Sequence, residues 1–183
     1  MKVHVGKLRK PPKKRDWRKL HIGVDSVTGQ IVASDLTSKS ARDPARVLAL
    51  LKQVERPLAS ATADAAYDTE DVYETFENHH DDRQPRVVIP PQKDAKLRPR
   101  SAASRERNRN IRSRARLGKR RWQDKSGYNK RARVECTFSR YKRILGPALR
   151  SRNLAAQRVE SRIGCRILNR MSALGMPRSV RAE

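Results

Sequence analysis

Tyr128-Asn-Lys-Arg131-Ala-Arg-Val-Glu135-Cys-Thr-Phe-Ser-Arg-Tyr-Lys142 places one carboxylate in a field of arginines and lysines. On a 3.6-residue period Tyr128, Arg131, Glu135 and Lys142 return to one narrow sector. Val134, Phe138, Tyr141 and Leu145 form a neighbouring apolar stripe. The spacing predicts one helix over 128–145, stopped by Gly146-Pro147, that packs by its stripe and holds Glu135 at the edge of the core. A lone acid among cations suits a metal-binding group beside a phosphate backbone. The plainer reading is a surface ion pair with Arg131 or Arg133.

The totals agree with a polyanionic partner. The chain has 183 residues, 44 Lys and Arg against 19 Asp and Glu, and a net charge of +25. That size is one ordinary domain with room for a basic extension. A balance so lopsided points to nucleic acid ahead of an anionic membrane surface. No apolar run approaches the roughly 20 residues that span a bilayer. The cysteines, Cys136 and Cys165, lack ligand-like spacing and read as reduced thiols of a cytosolic protein. Aromatics are 4% of the chain, too few for a base-stacking platform.

The charge is also segregated. Residues 1–20 carry nine cations and one acid, whereas residues 21–85 hold twelve acids and six cations. Residues 92–125 then hold fourteen cations against three acids, and 128–170 twelve against two. An acidic middle between basic arms fits a catalytic centre whose carboxylates need metal, clamped by segments that need phosphate.

Working outward, Leu20–Asp25 and Gln30–Thr37 alternate around Ser26-Val-Thr-Gly29, a hairpin pattern. Asp43-Pro44 reads as a helix start, with Val47, Leu50, Leu51 and Val54 on its buried face. Leu58–Ala63 reads as a short buried strand ending at Asp64. Thr69 caps a helix whose Val72, Tyr73 and Phe76 face inward, with Glu70 and Asp71 in its first turn. Asp68 reads as a local cap of that helix. Arg86–Ile89 is a strand closed by Pro90-Pro91. The tract 92–125 buries little and reads as mobile or ordered by DNA. A last helix over about 155–174 turns Val159, Ile163, Ile167, Met171 and Leu174 inward, with Gly175 at its end. The expected organisation is a basic arm (1–19), a core of strands and helices (20–91), a basic insertion (92–127), C-terminal helices that complete the core (128–175) and a tail (176–183).

Two acids stand out as candidate metal ligands: Asp64 at a strand end and Glu135. Strand ends present groups rigidly toward clefts in α/β sheets. Divalent ions such as Mg²⁺ favour carboxylate oxygens, and two such ions stabilise the attacking and leaving oxygens of phosphoryl transfer. Asp64 can equally be a turn or cap residue. His79-His80-Asp81-Asp82 is a weak metal candidate, because adjacent residues at a polar helix end rarely converge on one ion. Trp17 and Trp122, near basic residues, suit either DNA contact or core anchoring.

Tyr128-x2-Arg131-x3-Glu135-x6-Lys142 resembles, at every spacing, the signature of the DDE transposases of bacterial insertion sequences, the group that includes the insertion sequence 4 and 5 types. Thr62-Ala-Asp-Ala-Ala-Tyr-Asp-Thr69 resembles the second-aspartate motif of that family. Trp17-Arg-Lys-Leu-His-Ile-Gly-Val-Asp25, Val88-Ile-Pro-Pro91 and Leu168-Asn-Arg-Met171 are similar to further segments of it. The resemblance implies an α/β, RNase H-like mixed sheet flanked by helices. It also implies an Asp-Asp-Glu triad, two Mg²⁺ or Mn²⁺ ions, and cleavage and strand transfer on double-stranded transposon DNA. Asp64 matches the second acid and Glu135 the third, both as catalytic residues and metal ligands. Tyr128, Arg131 and Lys142 match DNA-contacting positions.

The family's first acid lies on a strand before the hairpin. Residues 1–19 offer Asp16 alone, and Asp25, at the end of the next strand, is the remaining candidate ligand. The chain therefore reads as N-terminally truncated, its first strand not found. An upstream polypeptide or frameshift product is the implied complement. A homodimer on paired transposon ends and a bacterial cytoplasmic, nucleoid-associated location are also implied. The alternative is a non-catalytic DNA-binding remnant or inhibitor of the full-length enzyme. A third class, a basic RNA- or ribosome-associated protein, does not account for the acidic middle or the helix signature.

Overall fold

The alternating segment after Trp17 forms β1 (Arg18–Val24), and β2 (Ile31–Ser38) returns antiparallel to it in a computed structural model that describes residues 17–79, 84–99 and 102–175. Asp25 builds the turn: its Oδ1 accepts the Val27 N–H at 2.7 Å and the Thr28 N–H at 3.3 Å. Gly29 completes the reversal at φ 73°, a conformation that favours glycine. Ile31, Ala33 and Leu36 of β2 are buried.

His21 is buried on the hairpin with its Nε2 2.9 Å from the Thr37 hydroxyl. Burial lowers its pKa below 6.5, and the charges of Asp43 and Asp35 oppose this only in part. A depressed histidine favours the fold while neutral, so its contribution is complete above about pH 6.5 and is lost as pH falls through the lowered value. Wild type should therefore lose stability between pH 7 and 5 in excess of that lost by His21→Gln. Parallel urea-midpoint profiles for the two would refute this role.

Pro44–Arg46 forms a 3-10 turn leading into α1 (Val47–Leu51). Asp43 precedes it, but its side chain caps nothing. The carboxylate instead accepts from Lys19 Nζ at 2.9 Å. β3 (Ser60–Thr62) pairs in parallel with β4 (Arg86–Val88), and α2 (Glu70–Glu77) lies between them in sequence. Val47 and Leu51, Val72, Tyr73 and Phe76, and Val87 and Ile89 make one core cluster. β3 is more open than expected, with Ser60 exposed and Ala61 and Thr62 half-buried. Its small side chains leave the apolar burial to β4. Among the described residues the strands form two separate two-stranded sheets, one antiparallel and one parallel.

The basic tract overturns its expectation. Ala102–Ser126 is helical (α3), broken at Gly118, whose φ of 72° is non-helical. Polar ties hold it to the core. Arg107 Nε donates to Asp68 Oδ1 at 3.0 Å. Asn108 brackets the Arg98 backbone, accepting from N–H at 3.0 Å and donating to C=O at 2.9 Å. Asn110 donates to the Val87 carbonyl at 2.9 Å, and Arg114 to the Pro91 carbonyl at 2.6 Å. Trp122, 2% exposed, anchors the far end in the core. Asp68 is thus a buried partner of Arg107 and of the Gln92 N–H (2.9 Å), where a local helix cap was expected.

The expected single helix over 128–145 divides into a 3-10 turn (Tyr128–Arg131) and α4 (Ala132–Leu145), after Gly127 at φ 78°. Its stripe, Val134, Phe138, Tyr141 and Leu145, is half-buried. α5 (Leu154–Leu174) begins at Asn153, whose side chain accepts the Ala156 N–H at 2.8 Å. Here the inward stripe was misassigned. Val159, Ile163, Ile167, Met171 and Leu174 face outward, while Ser161, Gly164, Cys165 and Leu168 are buried. Small residues let the helix approach closely, and Asn169 fixes its rotation through two 2.8 Å bonds to the Ile31 backbone. Cys165 is a buried free thiol and Cys136 an exposed one.

A Cβ on Gly164 would lie 2.8 Å from the Tyr141 hydroxyl and 2.9 Å from Leu145 Cδ1. Gly164→Val should push α4 from α5 and cost about 1–3 kcal/mol, as overpacking does. An unchanged urea midpoint would show that the contact yields freely. Among the described residues no helix is long and apolar enough to cross a membrane.

Candidate active site

β3 delivers the chain to Asp64 through Ala63, whose N–H still donates to the Val88 carbonyl at 3.2 Å. Asp64 then leaves the strand in extended conformation and caps the 3-10 turn Ala65–Tyr67, its Oδ1 accepting the Ala66 N–H at 2.9 Å. The turn reading is therefore realised, yet it uses one oxygen. The other, Oδ2, lies 4.0 Å from Arg131 Nη2.

Arg131 reaches the second acid as well. Its Nη1 donates to Glu135 Oε1 at 2.8 Å, one helical turn along. One guanidinium thus spans both carboxylates, although 71 positions separate them in sequence. Tyr128 completes the group. Its ring lies under the Arg131 guanidinium at 5.9 Å and tilts against Trp122 with centroids 5.6 Å apart. Burial raises the Tyr128 pKa; Arg131 opposes this, and the Asp64 and Glu135 charges add to it. The phenol therefore keeps its proton at neutral pH. Tyr67, beside Asp64, is pushed up to about 12, first by burial and then by Asp43 and Asp64.

The structure gathers Asp64, Tyr128, Arg131 and Glu135. Lys142 lies two turns further along α4, exposed, and makes no contact with the group. Asp25 sits at the hairpin turn, where its backbone bonds from Val27 and Thr28 hold its carboxyl below the ordinary range. His80, Asp81 and Asp82 lie outside the described residues, as does Asp16. Trp122 is buried, as core anchoring requires, and Trp17 is exposed.

A sequence model for the transposase DDE domain matches residues 4–170. The chain belongs to that family. No solved structure matches it. Transposases of this family act on DNA and generally use divalent metal ions. The donor set here suits such an ion in kind. Two hard carboxylates, 44% and 61% exposed, leave room for water and phosphate oxygens to complete a Mg²⁺ sphere. No three His, Cys, Asp or Glu side chains converge among the described residues, so these two acids are the donors the described site offers.

Tyr67 and Trp122 were not singled out in the sequence as members of this site. Tyr67 stands within the quoted aspartate motif, three residues from Asp64. Trp122 was read as a core anchor or DNA contact, with nothing in its spacing to tie it to Tyr128.

Proposed function

We propose that this transposase-family chain carries the Asp64–Glu135 part of a centre for metal-dependent phosphodiester cleavage and strand transfer on double-stranded transposon DNA of the insertion-sequence type. The single supporting observation is the contact of both carboxylates with the Arg131 guanidinium. Asp64 and Glu135 would hold Mg²⁺ or Mn²⁺, which when bound stabilises negative charge on the reacting oxygens. Arg131 offsets one of the two negative charges before DNA arrives and offers a planar fork to a phosphate when it does. Protonated Tyr128 donates a hydrogen bond to a neighbouring phosphate oxygen. Lys142, further along α4, binds the backbone outside the reacting position. Water attacks the phosphodiester first, and the freed 3′-hydroxyl then attacks target DNA.

A second reading, DNA binding without cleavage, is favoured by the two acids being engaged by Arg131 with no third carboxylate beside them among the described residues. Incubation with duplex DNA carrying transposon ends, with and without Mg²⁺, separates the two. Mg²⁺-dependent nicking supports the first reading; binding with no nicking supports the second.

A further inference from the structure

We infer that the exposed arginine row of α3, formed by Arg105, Arg109, Arg112 and Arg116, is a second contact surface that grips the phosphate backbone of duplex DNA. It rests on the DNA reading above and names where on the molecule, beyond the signature residues, the duplex is held. Steps of four, three and four residues keep all four side chains on one helix face. At 1.5 Å per residue they span about 16 Å, the rise of roughly five phosphates on one DNA strand. The four line an open groove of about 570 Å³ with Glu106 and Ser113. Glu106 is the one acid there, and it is engaged by Arg109 Nη1 at 2.8 Å and the Val87 N–H at 3.3 Å. Arg112 and Arg116 have no hydrogen-bond partner among the described residues.

Two features distinguish this row from an ordinary solvated face. Like charges at three- and four-residue spacing weaken a helix, so a row of four cations that Glu106 offsets at Arg109 alone carries a cost that a bound polyanion relieves. The reverse side of α3 is also fixed to the core, through Arg107, Asn108 and Asn110. The row is therefore presented on a set backbone before any ligand arrives, which reduces the ordering cost of binding.

The test uses the full chain, a 30-base-pair duplex and fluorescence anisotropy across 50–200 mM salt. Replacing Arg105, Arg109, Arg112 and Arg116 with Gln should weaken binding at least about tenfold at 50 mM and flatten the log–log salt slope by about 3 to 4, near 0.9 per phosphate contact. The pair Arg112→Gln and Arg116→Gln, which breaks no hydrogen bond among the described residues, should flatten it by about 2 and serves if the fourfold variant does not fold. A control replaces Arg150, Arg162, Arg166 and Arg170 with Gln. An equal fall in slope for the control would overturn the inference by showing that charge acts diffusely. An unchanged slope in the α3 variants, with wild type binding normally, would also overturn it while leaving the DNA reading intact. Failure of wild type to bind duplex DNA would remove both.

Discussion

Asp68→Ala should destabilise the fold by about 3–5 kcal/mol, the typical cost of removing one member of a buried ion pair. The Asp68 side chain is fully buried and that of Arg107 nearly so. The carboxylate accepts from Arg107 Nε at 3.0 Å, from the Gln92 N–H at 2.9 Å and from the Tyr73 hydroxyl at 3.4 Å. Truncation leaves a guanidinium and an amide inside the protein without their acceptor. A domain of this kind has only about 5–15 kcal/mol in total, so the variant should populate unfolded or α3-detached states near room temperature. Urea denaturation measures the loss, and amide exchange over 104–116 locates it. A midpoint within error of wild type would mean that the pair is dispensable.

The second large effect concerns chemistry and rests on the proposed cleavage activity. Asp64→Asn and Glu135→Gln preserve side-chain size while removing the charge that suits a divalent ion. Each should lower Mg²⁺-dependent nicking by at least on the order of 10²-fold, the scale of losing one preorganised electrostatic group. Duplex affinity should hold or rise, because a negative charge leaves a surface that faces phosphate. Mn²⁺ binding followed by electron paramagnetic resonance adds a readout independent of turnover. Full nicking in either variant would refute the assignment of that residue.

The parts legible in the sequence were those governed by local rules. Alternation around Ser26–Gly29 announced the hairpin, and Val72, Tyr73 and Phe76 lie inward in α2 as their spacing required. The meeting of the Asp64 and Glu135 segments was implied by the family resemblance, and the structure places both at Arg131. What escaped was burial that does not follow hydrophobicity. α3 was read as a loose basic tract because its buried positions are, apart from Trp122, the polar Ser104, Arg107, Asn108 and Asn110, invisible to an apolar period. α5 was turned the wrong way round for the converse reason: its apolar stripe was the louder signal, while Gly164 and Cys165 permit the close approach. Asp68 was assigned a neighbour's role because its partner stands 39 residues away.

The means by which α3 is fastened bears on how the protein responds to temperature. Exposing hydrocarbon raises the heat capacity of unfolding, whereas exposing amide and guanidinium groups lowers it. Release of the part of α3 before Gly118, held by Arg107, Asn108 and Asn110, therefore adds little to that quantity, and this attachment does not weaken on cooling as oily contacts do. Calorimetry should return a value below the usual 12–15 cal/mol/K per residue, approximately, with α3 remaining seated in the cold.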